Sequence, residues 1–598
     1  MDFLESLADG AEDKPVSREM RQAMAVRRNT PSGELGQILR PSTPDPDRRN
    51  RLWVIDRILE PQTLMHAIEF FLRGKLWSGQ KASLPLLSED DTKYLWMPMS
   101  SWAPAPFNQE ETSTIDACMI NIGSFEDSAR LTTITKELEA MKGRIWEGVM
   151  PLSERRWAEL ELDSPENFSH ACQYLCAVID VFHYLNNPKV KADLRETYNR
   201  IWQHFDKFDK AFQSIESKAS ASDISIAALW HEYIKDHYEF ISTRAHRWVV
   251  EHIDRLRAPI LAQQTNDELI DNSGVRNEQQ FALADKIHDL YENGAQADSA
   301  IFLPMDGYKG EALPAQDDVK ADMSNPYRDQ PISFTANRMA RKVDYYGRLK
   351  YLSRLETWTV DKGDVRPSAI ARSQIRAQMQ ARAELRGDQA PSEVQELWIQ
   401  YANRFLSEVK KVPMGFVGYR TYYGCSDDEW EQFKAKFSQD AENWGSELND
   451  IDLIRAISTV EWKDIKDLVP SDSDAIKAAK HAFAELTADK NRNRYFRDNI
   501  FLVADKAAIE SYLDPTHKGS GHILAVEATF DKDHKDPKLL AESPGYDGWL
   551  RILSSLLWDD VSALLLTQRD NLASLWPLAQ NDAQKIYRHP LGPTRVRV

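Results

Sequence analysis

The chain has 598 residues, of which 42% are hydrophobic and 28% are charged, and its formal net charge is −18. This length is typical of about three or four domains, and the composition is that of a globular protein able to bury a sizeable core. A negative charge of this size disfavours attraction of the whole surface to nucleic acid or to an anionic membrane.

The sequence also predicts a compartment. No stretch of about 18 consecutive apolar residues is present, so we predict no contact with a membrane. The acidic start, MDFLESLADGAEDKP, has neither the basic residues nor the apolar stretch of a signal peptide. Four cysteines are too few to cross-link a chain this long and fit a reducing compartment. We therefore predict a cytoplasmic protein, with the nucleus as the alternative.

The first part of the chain is predicted to be an arm followed by a helical domain. Residues 1–50 are charged and contain the proline-bearing stretch RPSTPDPDRRN, which predicts a flexible charged arm. A helical domain is predicted over 51–302. It contains the amphipathic stretch EPQTLMHAIEFFLRG, whose final glycine is a helix stop signal. From residue 152 onward, short connections between long amphipathic helices predict an antiparallel bundle.

One helix of this bundle has two start signals. Ser164 is suited to the N-cap position, and Pro165 to the first helical position. Several apolar side chains then recur at helical spacing on one face, which predicts a buried stripe: Phe168, Cys172, Leu175, Ile179 and Phe182. The stretch NNP at 186–188 predicts the turn into the next helix.

The rest of the chain is predicted to contain a linker, a basic helical segment and an α+β domain. Residues 303–333 lose periodicity and are predicted to form a linker or long loop, and 334–411 are predicted to be a basic helical segment. An α+β domain is predicted over 412–598, with a helix from Ser426, another at KAAIESYL, and strands near 415–424, 499–505, 521–530 and 548–558. The predicted fold class is therefore mainly α: a helical bundle followed by a small antiparallel sheet covered by helices.

Several aromatic and charged stretches resemble one known group of proteins. GFVGYRTYYGCSDDEWEQFKAKF, YFRDNIFLVADKAAIESYL and GYDGWLRILSSLLW resemble an uncharacterised protein family of filamentous fungi whose members carry a G-F-x-x-Y-R-T-x-Y-x-x-D-x-x-W segment. FSHACQYLCAVIDVFHYLNNP and STRAHRWVVEHIDRLRAP resemble other fungal proteins of the same kind. The resemblance implies a fungal intracellular protein, and it implies no catalytic residues.

Four of the fourteen histidines lie between Leu229 and Ile260: His231, His237, His246 and His252. A zincin-type site needs two histidines four residues apart on one helical face, whereas these pairs are six apart and point about 120° from each other. We therefore predict no metal site and no cofactor. On a helical projection Tyr233 and His237 lie on the buried stripe, His252 flanks it, His231 lies at its edge, and His246 faces solvent. If the helix carries chemistry, the candidates are His237, Glu251, His252 and Tyr233.

The basic segment is a second candidate site. Arginines one helical turn apart occur twice within 338–386, as Arg372 with Arg376 and as Arg382 with Arg386. Such a helix is able to pair with an acidic neighbour in its own fold, with an acidic protein partner or with nucleic acid. The sequence leaves these three alternatives open.

No sequence motif identifies a reaction. Phosphate-binding loops, nucleophile elbows and kinase signatures are all missing. Abundant amphipathic helices and 17 tryptophans favour an intracellular, non-enzymatic interaction or scaffold protein that binds a protein partner or itself. The first alternative is an enzyme with a small-molecule pocket in the helical domain. The second is a nucleic-acid-binding protein that uses the 338–386 segment.

Overall fold

The computed structural model describes residues 53–124, 130–215, 224–264 and 413–442, most of 444–589, and scattered positions within 283–309 and 396–403. The predicted arm at 1–50 lies outside the described residues. So do most of the predicted linker at 303–333 and most of the basic segment at 334–411.

The helical part begins with short elements. They are β1 (Trp53–Arg57), α1 (Gln62–Arg73), α2 (Glu89–Trp96), α3 (Thr114–Ile122), β2 (Leu131–Thr135), α4 (Lys136–Trp146) and α5 (Glu154–Glu159). As the sequence predicts, α1 ends at a glycine: Gly74 adopts a φ of 67°. The four helices after α1 each begin at a hydroxyl side chain that accepts a backbone N–H of the first turn, from Ser88, Ser113, Thr135 and Ser153.

Three longer helices complete this part: α6 (Phe168–Leu185), α7 (Pro188–Gln213) and α8 (Ile226–Gln264). The predicted stripe of α6 is buried, except that Cys172 is only half-buried. Ser164 and Pro165 take the predicted N-cap and first positions, but of a 3-10 turn at Pro165–Asn167 that leads into the helix. The Ser164 hydroxyl bonds the Glu166 carboxylate rather than a backbone N–H. Helix α8 packs against α1, α4, α6 and α7, and β1 and β2 pair antiparallel beside α4.

The second part is α+β, as the sequence predicts. Its elements are β3 (Met414–Arg420), α9 (Asp427–Asp440), α10 (Ile451–Ile457), β4 (Ser458–Asp464), α11 (Ala475–Ala488), β5 (Ile500–Ala504), α12 (Lys506–Leu513), β6 (His522–Glu527), β7 (Trp549–Leu553), α13 (Ala563–Leu566), α14 (Leu572–Ala579) and β8 (Ile586–Tyr587). Ser426 caps α9 with a full capping box, because its hydroxyl accepts the Glu429 N–H and the Glu429 carboxylate accepts the Ser426 N–H.

The sheet of this part is mixed rather than antiparallel. Its order is β4-β3-β5-β6-β7-β8, with β3 parallel to both β4 and β5, β6 antiparallel to its neighbours, and β8 parallel to β7. Parallel pairing needs long crossovers, which the helices between β3, β4 and β5 supply. The predicted strand at 548–558 ends early, at Leu553, where the chain turns into a 3-10 turn and then a π-helix at Leu557–Ser562.

Buried polar contacts join the two parts. Arg144 of α4 forms an ion pair with Asp560 at 2.8 Å, both side chains being buried, and the ring Nε2 of His589 donates to the carbonyl of Pro151 at 2.7 Å. The described residues of the two parts accordingly belong to one compact unit. The boundary predicted between a helical and an α+β domain stays a prediction.

Gly415 provides a test of how β3 packs. Its φ is +140°, and a Cβ there would lie 2.2 Å from the carbonyl oxygen of Thr459 and 2.8 Å from the ring of Trp558. Gly415→Ala should therefore lower the free energy of unfolding by about 3 kcal/mol or more, measured by urea denaturation. Gly79→Ala is the control, because Gly79 has a φ of +80° but no atom within 4 Å, and it should cost only about 1–2 kcal/mol of conformational strain. Equal losses would contradict the packing of β3 against β4.

Candidate functional site

His237 lies at the centre of an aromatic cluster. Its side chain is fully buried, and its Nε2 donates to the carbonyl of Trp146 at 2.8 Å. The ring stacks on Trp77 at 4.5 Å between centroids and meets the ring of Trp146 edge-on at 5.2 Å. Burial lowers the pKa of His237 to about 3, so the ring is neutral near pH 7. The predicted core position of His237 is confirmed.

Of the other catalytic candidates, only Tyr233 contacts His237, as the two rings stack at 6.0 Å between centroids. His252 donates from Nδ1 to the carbonyl of Trp248 at 2.7 Å, and its ring lies between two tryptophans. Tyr233 is buried in the core, whereas Glu251 is exposed and lies 3.9 Å from Arg247. His237 and His252 are fifteen residues apart on one helix, which is about 22 Å along its axis. The four candidates therefore form no common site.

The prediction that His246 faces solvent is wrong. Its side chain is only 4% exposed. Helix α8 packs on more than one side, so only four residues between 226 and 260 are exposed: Glu239, Thr243, Glu251 and Ala258. A single apolar stripe was the wrong geometry for a helix enclosed by several neighbours. The edge position predicted for His231 is confirmed, because its half-buried ring shares a hydrogen bond of 2.5 Å with the hydroxyl of Tyr198.

The arginine candidates cannot be placed in this geometry. Arg372, Arg376, Arg382 and Arg386 all lie outside the described residues. Their partner, whether an acidic surface of the same chain, an acidic protein or nucleic acid, stays a prediction.

A buried ionic cluster surrounds Lys142, which the sequence did not single out. Its ammonium donates to both carboxylate oxygens of Asp56 at 2.8 and 3.0 Å, to Glu60 at 2.8 Å and to the carbonyl of Arg57 at 2.9 Å. The Tyr184 hydroxyl adds a bond of 2.7 Å to Asp56. No short sequence pattern predicts this cluster, because Lys142 and Asp56 are 86 residues apart in the chain.

The Lys142 cluster is saturated. Its ammonium has three N–H groups and binds three residues, so none is left for a substrate. Lys142 is fully buried, and Asp56 and Glu60 are buried with it. Burial raises the pKa of Asp56 to about 6, although the ammonium of Lys142 lowers it, and the two carboxylates raise the pKa of Lys142 against the effect of burial. The cluster ties β1 to α4 and α6 and offers no opening for chemistry.

The described residues contain no obvious ligand set for a metal. Among them, no three His, Cys, Asp or Glu side chains converge on a point where they could hold an ion.

The β1–β2 pair has an exposed outer face, which we call the ribbon face. Strand pairing sets Trp53 opposite Thr135, Ile55 opposite Thr133, and Arg57 opposite Leu131. Trp53 is 55% exposed and Ile55 39%, and Thr133 is also exposed. The alternate residues Val54, Asp56 and Ile134 point inward and are buried. The ribbon face therefore combines apolar and β-branched side chains with one arginine and no carboxylate.

The strand edges of the two sheets differ in how they are protected. Edge strand β4 carries Glu461, Lys463 and Asp464, and charges of this kind discourage pairing with another chain. Edge strand β8 has only two residues, which are buried. In the part of the chain that the structure describes, no third strand pairs with β1 or β2. The ribbon is therefore the least protected of these edges.

Comparison with protein-family models, with curated proteins and with solved structures found no match to this chain. The resemblance to a fungal family therefore stays a prediction. Among the described helices, none is long and apolar enough to cross a membrane.

Removing the buried cation tests the Lys142 cluster. Lys142→Met should lower the free energy of unfolding by about 3–5 kcal/mol, because two buried carboxylates lose their partner. The raised pKa of Asp56 means that its contribution to stability is present below about pH 3.8 and is lost as the pH rises through about 6. Without Lys142 the pKa of Asp56 rises further, so the loss should be larger at pH 8 than at pH 5.

The measurement is urea denaturation at both pH values. Lys210→Met is the matched control, because Lys210 is 63% exposed and pairs with Asp206 on the surface, where such a pair contributes less than about 1 kcal/mol. If Lys142→Met loses no more stability than this control, the Lys142 cluster does not stabilise the fold and the prediction is wrong.

His237 should make the fold sensitive to acid. Its folded pKa lies below that of the unfolded chain, so its contribution to stability is present above about pH 6.5 and is lost as the pH falls towards 3. His237→Gln removes this titration and keeps a donor for the Trp146 carbonyl. The destabilisation that it causes should be about 2 kcal/mol smaller at pH 5 than at pH 7.5, by urea denaturation at each pH.

The control for this prediction is His481→Gln, because the His481 side chain is 70% exposed. It should change stability by less than about 1 kcal/mol at either pH, because its exposed contact with Glu485 contributes little. A pH-independent effect of His237→Gln would show that His237 is not a neutral core residue.

Proposed function

We propose that the protein is a non-enzymatic interaction protein that presents the ribbon face to another protein surface. The observation that carries this proposal is the exposure of Trp53 and Ile55 side by side on an unprotected strand. Exposed apolar patches on soluble proteins commonly mark interaction sites. Tryptophan is also enriched among the few interface residues that contribute most of the binding energy.

The interior supports the same proposal. The polar groups best suited to chemistry in the described residues, Lys142 with its carboxylates and the buried His237, use their donors inside the fold. The enzyme alternative needs a pocket that gathers His237, Glu251, His252 and Tyr233. Only Tyr233 and His237 are in contact, and both are buried in the core. An interaction protein needs neither a pocket nor a free nucleophile.

The charge of the ribbon face also supports a role in binding another protein. The chain has a net charge of −18, yet the ribbon face carries no carboxylate, and the nearest one, Asp56, points inward to Lys142. A partner that covers the ribbon face therefore does not bury an unpaired negative charge, which is the costly event in forming an interface.

We also propose a reducing compartment, the cytoplasm or the nucleus. All four cysteines are unpaired: Cys118, Cys172, Cys176 and Cys425. Secreted proteins of this size commonly pair such residues.

Affinity capture with a surface variant tests the proposed function. Tagged wild-type chain, Trp53→Glu and Leu453→Glu are incubated with an extract of the cells that make the protein, and the retained proteins are quantified by mass spectrometry. Loss of an interface tryptophan typically costs about 2 kcal/mol or more, so specific partners should drop at least about tenfold with Trp53→Glu.

Leu453→Glu is the matched control, because Leu453 is 61% exposed on α10, away from the ribbon face. It should retain the wild-type set of partners. If Trp53→Glu, shown by urea denaturation to be folded, retains the same partners in the same amounts, the proposal fails.

A further inference from the structure

We infer that the ribbon face binds a second copy of this chain, with β1 of one copy pairing antiparallel to β1 of the other about a two-fold axis at Ile55. This rests on the proposed function, because it names the occupant of the same face. The resulting sheet would have the order β2-β1-β1-β2. Two-stranded ribbons are only marginally stable alone, and extension to four strands satisfies the outer backbone groups of both β1 strands.

The five residues of β1 are self-complementary in this register. A two-fold axis at Ile55 sets Ile55 opposite Ile55 of the second copy, and Trp53 opposite Arg57 of the second copy. Alternation along the strand puts all of these side chains on the outer face. A guanidinium facing an indole forms a favourable cation–π contact, and the symmetry makes this contact twice.

The Arg57 side chain is already ordered within one copy. Its Nε donates to the carbonyl of Gly123 at 2.9 Å, which fixes the direction of the side chain. That hydrogen bond lies in the plane of the guanidinium, whereas stacking uses its flat face. The ordering of Arg57 within one copy therefore lowers the entropy lost when the second copy binds.

The charges of the two copies do not oppose this register. Each chain has a net charge of −18, so a symmetric contact between acidic patches would repel. Here Asp56 is turned inward and neutralised by Lys142, and Arg57 is the charged residue of the ribbon face. The pairing therefore sets no two carboxylates against each other.

The other strand edges fit a second copy less well. Symmetric pairing through β2 about Thr133 would set Leu131 opposite Thr135, with neither an aromatic nor a charged contact. On β4, a two-fold axis at the central residue would set the Glu461 carboxylate opposite its own copy, and β8 is only two residues long. The geometry therefore favours β1.

The oligomeric state gives the first test. Sedimentation velocity on the full chain should show the mass rising from 68.7 kDa towards twice that value over about 1–100 µM, the range expected for an interface this small. Trp53→Glu should raise the dissociation constant at least about tenfold, and Leu453→Glu should behave as wild type. A wild-type chain that stays monomeric throughout overturns the inference.

Cysteine cross-linking gives the second test, because it reads the register. Directly opposed Cβ atoms across an antiparallel pair are about 4.5–5.5 Å apart, within reach of a disulfide. Ile55→Cys should therefore form a covalent dimer under mild oxidation, beyond the background of the wild-type cysteines. Thr133→Cys is the matched control, because Thr133 is exposed beside Ile55 on the same face, yet it would lie about 14 Å from its counterpart, three strand spacings away.

Each outcome of the cross-linking either supports or overturns the pairing of β1 with β1. A dimer from Ile55→Cys alone supports pairing through β1. A dimer from Thr133→Cys alone, from both variants equally or from neither overturns it. If the chain is monomeric but Trp53→Glu still loses other partners, the self-pairing fails and the proposed function stands. If neither self-association nor any partner depends on Trp53, both fail.

Discussion

The orientation of the ribbon depends on the ammonium of Lys142. Because that group holds the Asp56 carboxylate inside the fold, and because side chains alternate along a strand, the neighbours of Asp56 on either side must face outward. Trp53 and Ile55 are therefore exposed, with Arg57 half-buried on the same face, as a consequence of a buried salt bridge. A one-residue slip of β1 would bury Ile55 and expose Asp56, and Lys142 would lose one of its two carboxylate partners, so the cluster also fixes the register. One face of β1 therefore belongs to the buried core, and the opposite face forms the proposed interaction surface.

Much of the fold could be predicted from the sequence where the signal is local. The glycine after α1, the capping box at Ser426 and the turn at 186–188 each depend on a few adjacent residues, and the structure confirms each of them. The strand near 500 was recognisable for the same reason, since it is a continuous apolar run that is buried throughout.

Elements set by distant contacts could not be predicted. Strand β4 reads STVEWKD, which lacks the apolar run or clean alternation of a core strand, because it lies at an edge and is held by its parallel pairing with β3. Strands β1 and β2 are short and pair across more than 70 residues. The Lys142 cluster likewise assembles from three separate elements. The histidines show the converse: they are close in sequence, yet α8 spreads them along its length and around its circumference, as their six-residue spacing predicts.

The contact between His589 and Pro151 has a consequence for how the protein is made. It closes a loop of 438 residues, so the helical part is synthesised long before the strand and loop that cover it. At typical translation rates, about 20 to 90 seconds pass between the synthesis of Pro151 and that of His589. During that interval Arg144, which later pairs with Asp560, has no counter-ion in the second part. The nascent chain therefore carries a partly built polar surface that is completed only when the distal segment emerges.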